Sequence, residues 1–162
     1  PGPNGAVTRL FGTAGSGLVA SDFFCEGQSG MHGVAVDPQF ASNRYVYVFM
    51  PSSATTPRAN RVVRLVLSAD NTSVSNRTDI VTGIAFKNAA TSNGGAGAHS
   101  GGRIRFSPGD GYLYITTGDN HDGALPQHPT RLGGKVLRVD RDGNAAPDNK
   151  PPAGFDKRVF TY

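Results

Sequence analysis

Three stretches of this chain each have a similarly patterned counterpart, in the same order, about 70 residues further on. Gly33–Pro38 (GVAVDP) matches Gly102–Pro108 (GRIRFSP), Arg44–Phe49 (RYVYVF) matches Tyr112–Thr117 (YLYITT), and Asn60–Leu65 (NRVVRL) matches Gly134–Val139 (GKVLRV). Each is an apolar or alternating run of strand length, and the first of each set stops at a proline, which cannot donate to a sheet ladder. Strands are expected at Gly33–Asp37, Arg44–Met50, Arg61–Leu67 and Asp79–Ile84, and again at Arg103–Ser107, Tyr112–Thr117, Lys135–Asp140 and Arg158–Tyr162. One further run, Ala6–Phe11, precedes both sets, and no segment carries a helical stripe. The class is all-β.

Four antiparallel strands repeated in tandem are the unit of a β-propeller, although a Greek-key sandwich also holds eight strands. The two differ in what they need. A sandwich closes on itself, whereas a blade buries both faces of its sheet only between neighbours. On the propeller reading the 162 residues are a partial domain: the end of one blade and its connecting loop over 6–29, one blade over 30–86 and the next over 87–162, continuing past both ends. The chain stops at Tyr162 inside an apolar run, as a piece of a larger ring should. Composition agrees, since Gly 22 and Pro 11 supply turns while charged residues are only 17%.

Several function classes drop out. No apolar run approaches the roughly 18 residues of a membrane span, and the first residues lack the basic and apolar regions of a signal peptide, so the chain reads as soluble with any export signal removed or outside it. The net charge is +4, but the sixteen Lys and Arg are scattered, without the basic stripe of a nucleic-acid face. A basic surface could still steer an acidic partner. The single Cys25 has no partner for a disulfide or a zinc cluster and reads as a small buried hydrophobe.

The candidate chemistry centres on Asn93–Arg103 (NGGAGAHSGGR). His99, set among glycines just before a strand, is either a hydrogen-bonded loop histidine or a general base for a substrate hydroxyl at the mouth of a propeller channel. Thr116–Gly123 (TTGDNHDG) has a calcium-like run of Asp and Asn but lacks the rest of an EF-hand loop, and reads as a turn held by Asx hydrogen bonds. His121 and His128 have no third ligand and carry no assigned role. The Gly12–Gly17 cluster reads as a flexible loop and Asp140–Gly143 as a tight turn between strands; neither carries chemistry. Asn71–Ser73 and Asn76–Thr78 are formal glycosylation sequons.

The ordered set Glu26–Phe40, Asn43–Tyr47, His99–Ile104, Tyr112–Asp119, Leu132–Asp140, Asp142–Gly143 and Asp148–Asn149 resembles the soluble quinoprotein glucose and sorbosone dehydrogenases, from about Cys25 to Tyr162. The resemblance implies a six-bladed β-propeller using pyrroloquinoline quinone (PQQ) and calcium, located in the periplasm or secreted. It implies oxidation of an aldose or related sugar at the C1 hydroxyl to the lactone, with electrons passed to an acceptor such as a cytochrome or a quinone. His99 falls on the family's catalytic base, which also contacts the cofactor and substrate, and Gln28 on its sugar-contacting glutamine. Calcium would polarise the quinone carbonyl, its ligands and the main cofactor-gripping residues lying beyond this stretch, so that the 162 residues alone should be inactive. Two positions depart from the pattern. Ala98 replaces an Asp that contacts a sugar hydroxyl, which argues against glucose itself, and Met31-His32 replaces an apolar pair, placing a second histidine either towards the channel or in a hydrogen bond on the strand. The other class that fits is a non-catalytic propeller binding module of the same superfamily, resembling Hedgehog-interacting proteins.

Overall fold

The computed structural model describes residues 21–88 and 94–162, together with Gly5 and Val7. The expected Ala6–Phe11 strand and the Gly12–Gly17 loop lie outside the described residues, apart from Val7. All eight other strands form: β1 (Gly33–Val36), β2 (Tyr45–Ser52), β3 (Ala59–Leu67), β4 (Val74–Ile84), β5 (Gly101–Phe106), β6 (Leu113–Thr117), β7 (Val136–Val139) and β8 (Val159–Thr161). The one α-helical turn among the described residues, Phe40–Asn43, and a single 3₁₀ turn at Leu125–Gln127 are too short to bury an apolar face.

The strands make two four-stranded antiparallel sheets in the orders β1-β2-β3-β4 and β5-β6-β7-β8. Every strand pairs with its neighbour in sequence and none crosses between sheets, so the Greek-key sandwich is overturned and each sheet is a simple up-and-down blade. The weakly patterned fourth strand is longer than its sequence suggests, reaching back to Val74. It pairs with β3 through irregular register between Asn60 and Val66, and such bulges break the strict alternation by which a strand is recognised.

Strand β2 is buried on both sides: Tyr47 and Phe49 face the second sheet, while Val48 and Met50 face away with Phe23, Val63 and Leu65. The core between the sheets gathers Ala35, Val62, Val81 and Ile84 from the first blade against Ile104, Leu113, Ile115 and Leu137 from the second. Tyr47 meets Phe106 edge-on at 5.0 Å between centroids, the geometry the ring quadrupoles favour. Strand β5, by contrast, alternates exposed and buried, leaving Arg103 and Arg105 on an open face. Phe160 and Tyr162 are exposed as well.

A polar clasp reinforces the blade-to-blade contact at the end of β1. Asp37 is buried and accepts from Arg141 Nε at 3.0 Å, while the Tyr47 hydroxyl lies within reach of Asp37 Oδ2 and Arg141 O. Arg64 Nη1 donates to Asp142 Oδ1 at 2.6 Å. The turn expected at Asp140–Gly143 thus forms, with Gly143 N–H donating to Asp140 O, and it grips the first blade. Burial, with the Asp37 carboxylate beside it, pushes the Tyr47 hydroxyl up to about 12, so it remains a donor.

The repeat extends to side chains. Arg64 lies over the Tyr45 ring and Arg138 over the Tyr112 ring, both at 4.4 Å. Arg61 and Lys135, three residues earlier in each copy, are both buried.

Candidate functional site

Because the inner strands β1 and β5 run the same way in adjacent blades, the segments entering them lie side by side at one end. Gln28 N–H donates to Ala96 O at 3.2 Å, joining the two entry segments. His32 bridges them again: Nδ1 lies 2.8 Å from Gly101 O and Nε2 3.2 Å from Gln28 O, with the ring stacked on Phe49. The two placements open for His32 are not exclusive: each ring nitrogen faces a backbone carbonyl, and the exposed ring also lines the groove between β1 and β5. Gln28 is exposed, and its side-chain amide makes no hydrogen bond among the described residues.

His99 closes the second entry segment. Its φ of 49° is left-handed, and its side chain is half exposed. The segment leaving β6 comes against it so closely that a Cβ on Gly118 would stand 1.7 Å from His99 O, a contact that only glycine permits. Gly118 N–H donates to Ser100 O, and Asn120 Nδ2 donates to both Ala98 O and His99 O at 3.1 Å. These bonds position Asp119, whose Oδ1 lies 2.8 Å from His99 Nδ1.

An ionised carboxylate can only accept, so Nδ1 carries a proton and donates it to Asp119 Oδ1. Nε2 makes no hydrogen bond among the described residues. The hydrogen bond from His99, joined by that from the His121 backbone N–H, holds the Asp119 carboxyl below the usual carboxylate range. The pair is therefore a carboxylate orienting an imidazole, with Nδ1 turned to Asp119 and Nε2 turned away from it. Ala98, beside it, is fully buried.

The sequence pattern marks Asp119 only as a turn residue. It is one, since Oδ1 accepts from His121 N–H at 3.0 Å, but the same oxygen orients His99. The available signal was its place just beyond β6, the strand paired with the one His99 precedes. His121, given no role, stacks on the His99 ring. His128 accepts the Thr130 and Arg131 backbone N–H groups through Nδ1 and is confined to its own turn. Cys25 corrects an expectation: it is exposed, because it lies in the irregular segment entering β1, outside either core cluster. No group of three or more His, Cys, Asp or Glu converges among the described residues. His99 and Gln28 are both exposed on the adjoining entry segments, an imidazole and an amide of the kind that hydrogen-bond an oxygen-rich cofactor or a sugar, and they do not make a calcium site.

The family model described as glucose / sorbosone dehydrogenase matches residues 9–162. The aldose sugar dehydrogenase YliI of Escherichia coli is 30% identical over 157 residues, which are 92% of this chain and 40% of that protein. The PQQ-bound form of an aldose sugar dehydrogenase from Streptomyces coelicolor superposes with a TM-score of 0.69 at 30% identity, over 87% of this chain and 37% of that one. The apo-form of the soluble aldose sugar dehydrogenase from Escherichia coli gives 0.72 at 25% identity, over 89% and 41%. The chain thus spans about 40% of the length of the relatives it matches. Its two-bladed architecture, its ordered motifs and a family match over nearly all its residues place this chain in the glucose / sorbosone dehydrogenase family.

Proposed function

We propose that the full protein carrying this chain is a PQQ-dependent sugar dehydrogenase that oxidises the C1 hydroxyl of an aldose or related sugar to the lactone, with His99 as the base. The observation that carries this reading is the Asp119–His99 pair, held at the open end of the two inner strands with Nε2 free. The bound quinone would supply the acceptor for the C1 hydride. His99 Nε2 takes the hydroxyl proton, and Asp119 stabilises the imidazolium that results. Gln28, exposed on the adjoining segment, supplies an amide for a sugar hydroxyl.

The paired carboxylate favours catalysis over the binding-module reading, since a docking surface has no need of an oriented imidazole. The rest of the assignment belongs to the full protein: a ring of six blades with this chain contributing residues 30–86 and 87–162 as two of them, calcium held outside this stretch, an electron acceptor such as a cytochrome or quinone, and a periplasmic or secreted location. No helix among the described residues is long and apolar enough to cross a membrane.

The test is to express the full-length protein, supply PQQ and calcium, and assay aldose oxidation with an artificial electron acceptor beside His99→Ala. Turnover should fall by about 10³-fold in the variant, the scale of a lost proton acceptor. Absence of PQQ binding in the full protein, or turnover that His99→Ala leaves unchanged, overturns the proposal.

A further inference from the structure

We propose that His121 is a positioning residue for His99, its imidazole packing flat on the ring of the base and fixing the plane in which Nε2 is aimed. This rests on the assignment of His99 as the base. The two ring centroids are 3.5 Å apart and the planes are inclined by 26°, a stacked contact.

The need for it follows from the geometry of the pair. The Cβ–Cγ bond and the hydrogen bond from Nδ1 to Asp119 hold one edge of the imidazole, while small rotations about its side-chain bonds still move the opposite edge, which carries Nε2. A flat group against one face restrains that movement. Displacements of about 1 Å at a reacting atom cost on the order of 10²-fold in rate.

The backbone is shaped for this contact. Asn120 and His121 have φ values of 52° and 59°, two successive non-glycine residues in a region that L-residues rarely adopt. Their conformation is over-determined: His121 N–H donates to the same Asp119 oxygen that accepts from His99, Asn120 Nδ2 ties back to the His99 carbonyl, and Asp122 N–H donates to Asp119 O. The reversal folds the His121 ring back over the base.

Across from it, Gly94 leaves room for that ring: a Cβ there would stand 3.0 Å from His121 Nε2 and 3.1 Å from Cδ2. The His121 ring nitrogens make no hydrogen bond among the described residues, so the interaction with His99 is through the ring face. A planar ring without nitrogens should therefore replace it, while a short side chain should not.

The experiment compares full-length wild type, His121→Phe and His121→Asn, the last chosen because asparagine tolerates a left-handed backbone. Two quantities are read: steady-state aldose oxidation and the His99 Cε1–H resonance in histidine-labelled protein, assigned by its loss in His99→Ala. In His121→Asn the resonance should move downfield as the shielding ring disappears, and kcat should fall about tenfold with KM within about twofold. In His121→Phe the resonance should stay upfield, with kcat restored to within about threefold. A His99 resonance identical in wild type and His121→Asn overturns the proposal, as does a kcat unaffected by His121→Asn or lost equally in both variants. A full-length protein that binds PQQ but oxidises no aldose removes the base assignment instead, and the resonance comparison still decides whether His121 sets the ring.

Discussion

Asp119 serves two structural ends with one oxygen, closing the turn after β6 and orienting the imidazole of His99. The consequence is testable by an isosteric change. Asp119→Asn can keep the turn, because an amide oxygen still accepts the His121 N–H, but it brings no charge to stabilise an imidazolium. On the proposed function, kcat of the full-length protein should drop by about 10²-fold with the melting temperature nearly unchanged, as read by steady-state assay and thermal denaturation. Equal loss of stability and activity would mean that the carboxylate is only a turn residue. His99 stands out in the sequence through its glycine-rich setting and the family resemblance. Asp119 does not, since 20 residues separate the two and only the pairing of β5 with β6 brings them together. Cys25 misled because composition predicts burial from side-chain type alone, and an irregular segment has no buried face to offer.

At the scale of elements, the strands were legible because a sheet imposes a period of two on its sequence and because proline and glycine mark its corners. Strand β4 showed only partly, its bulges against β3 breaking that period. The clasp between blades left no periodic trace: Asp37, Tyr47, Arg64 and Arg141 are spread over 104 residues and meet only when the blades stack. Asp37→Ala should strip the Arg141 guanidinium and the buried Tyr47 hydroxyl of their shared acceptor. We expect a cost of about 2 kcal/mol, moderated because Arg141 is partly exposed, measurable as a lower denaturant midpoint in the full-length protein with kcat retained. Tyr47→Phe, which removes one neutral hydroxyl, should cost about 1 kcal/mol.

The whole molecule carries a second polar centre, on the far face of the first blade, where Arg77 forms a two-pronged contact with Asp22 and Arg61 pairs with Asp79. The Arg77 hydrogen bond holds the Asp22 carboxyl at about 2, against 3.8 for an unperturbed group. A folded-state value below the unfolded one means that Asp22 stabilises the fold fully above about pH 4 and that this contribution disappears as the pH falls through about 2. Urea midpoints measured from pH 5 to pH 2 should therefore decline, and Asp22→Asn should be less stable at pH 5 while showing a flatter decline. A variant whose profile runs parallel to wild type would rule out this linkage.

The clasp and the Asp119–His99 pair sit at opposite ends of the inner strands: Asp37 follows β1, whereas Gln28 and His99 precede β1 and β5. That separation makes the two ends independently editable. On the proposed function, residues of the entry segments can be exchanged while the mortise that aligns one blade on the next is left intact. A graft of the Glu26–Gly30 and Gly94–Ser100 segments from a relative with a different sugar preference should thus carry preference with it and leave the stacking of the blades undisturbed.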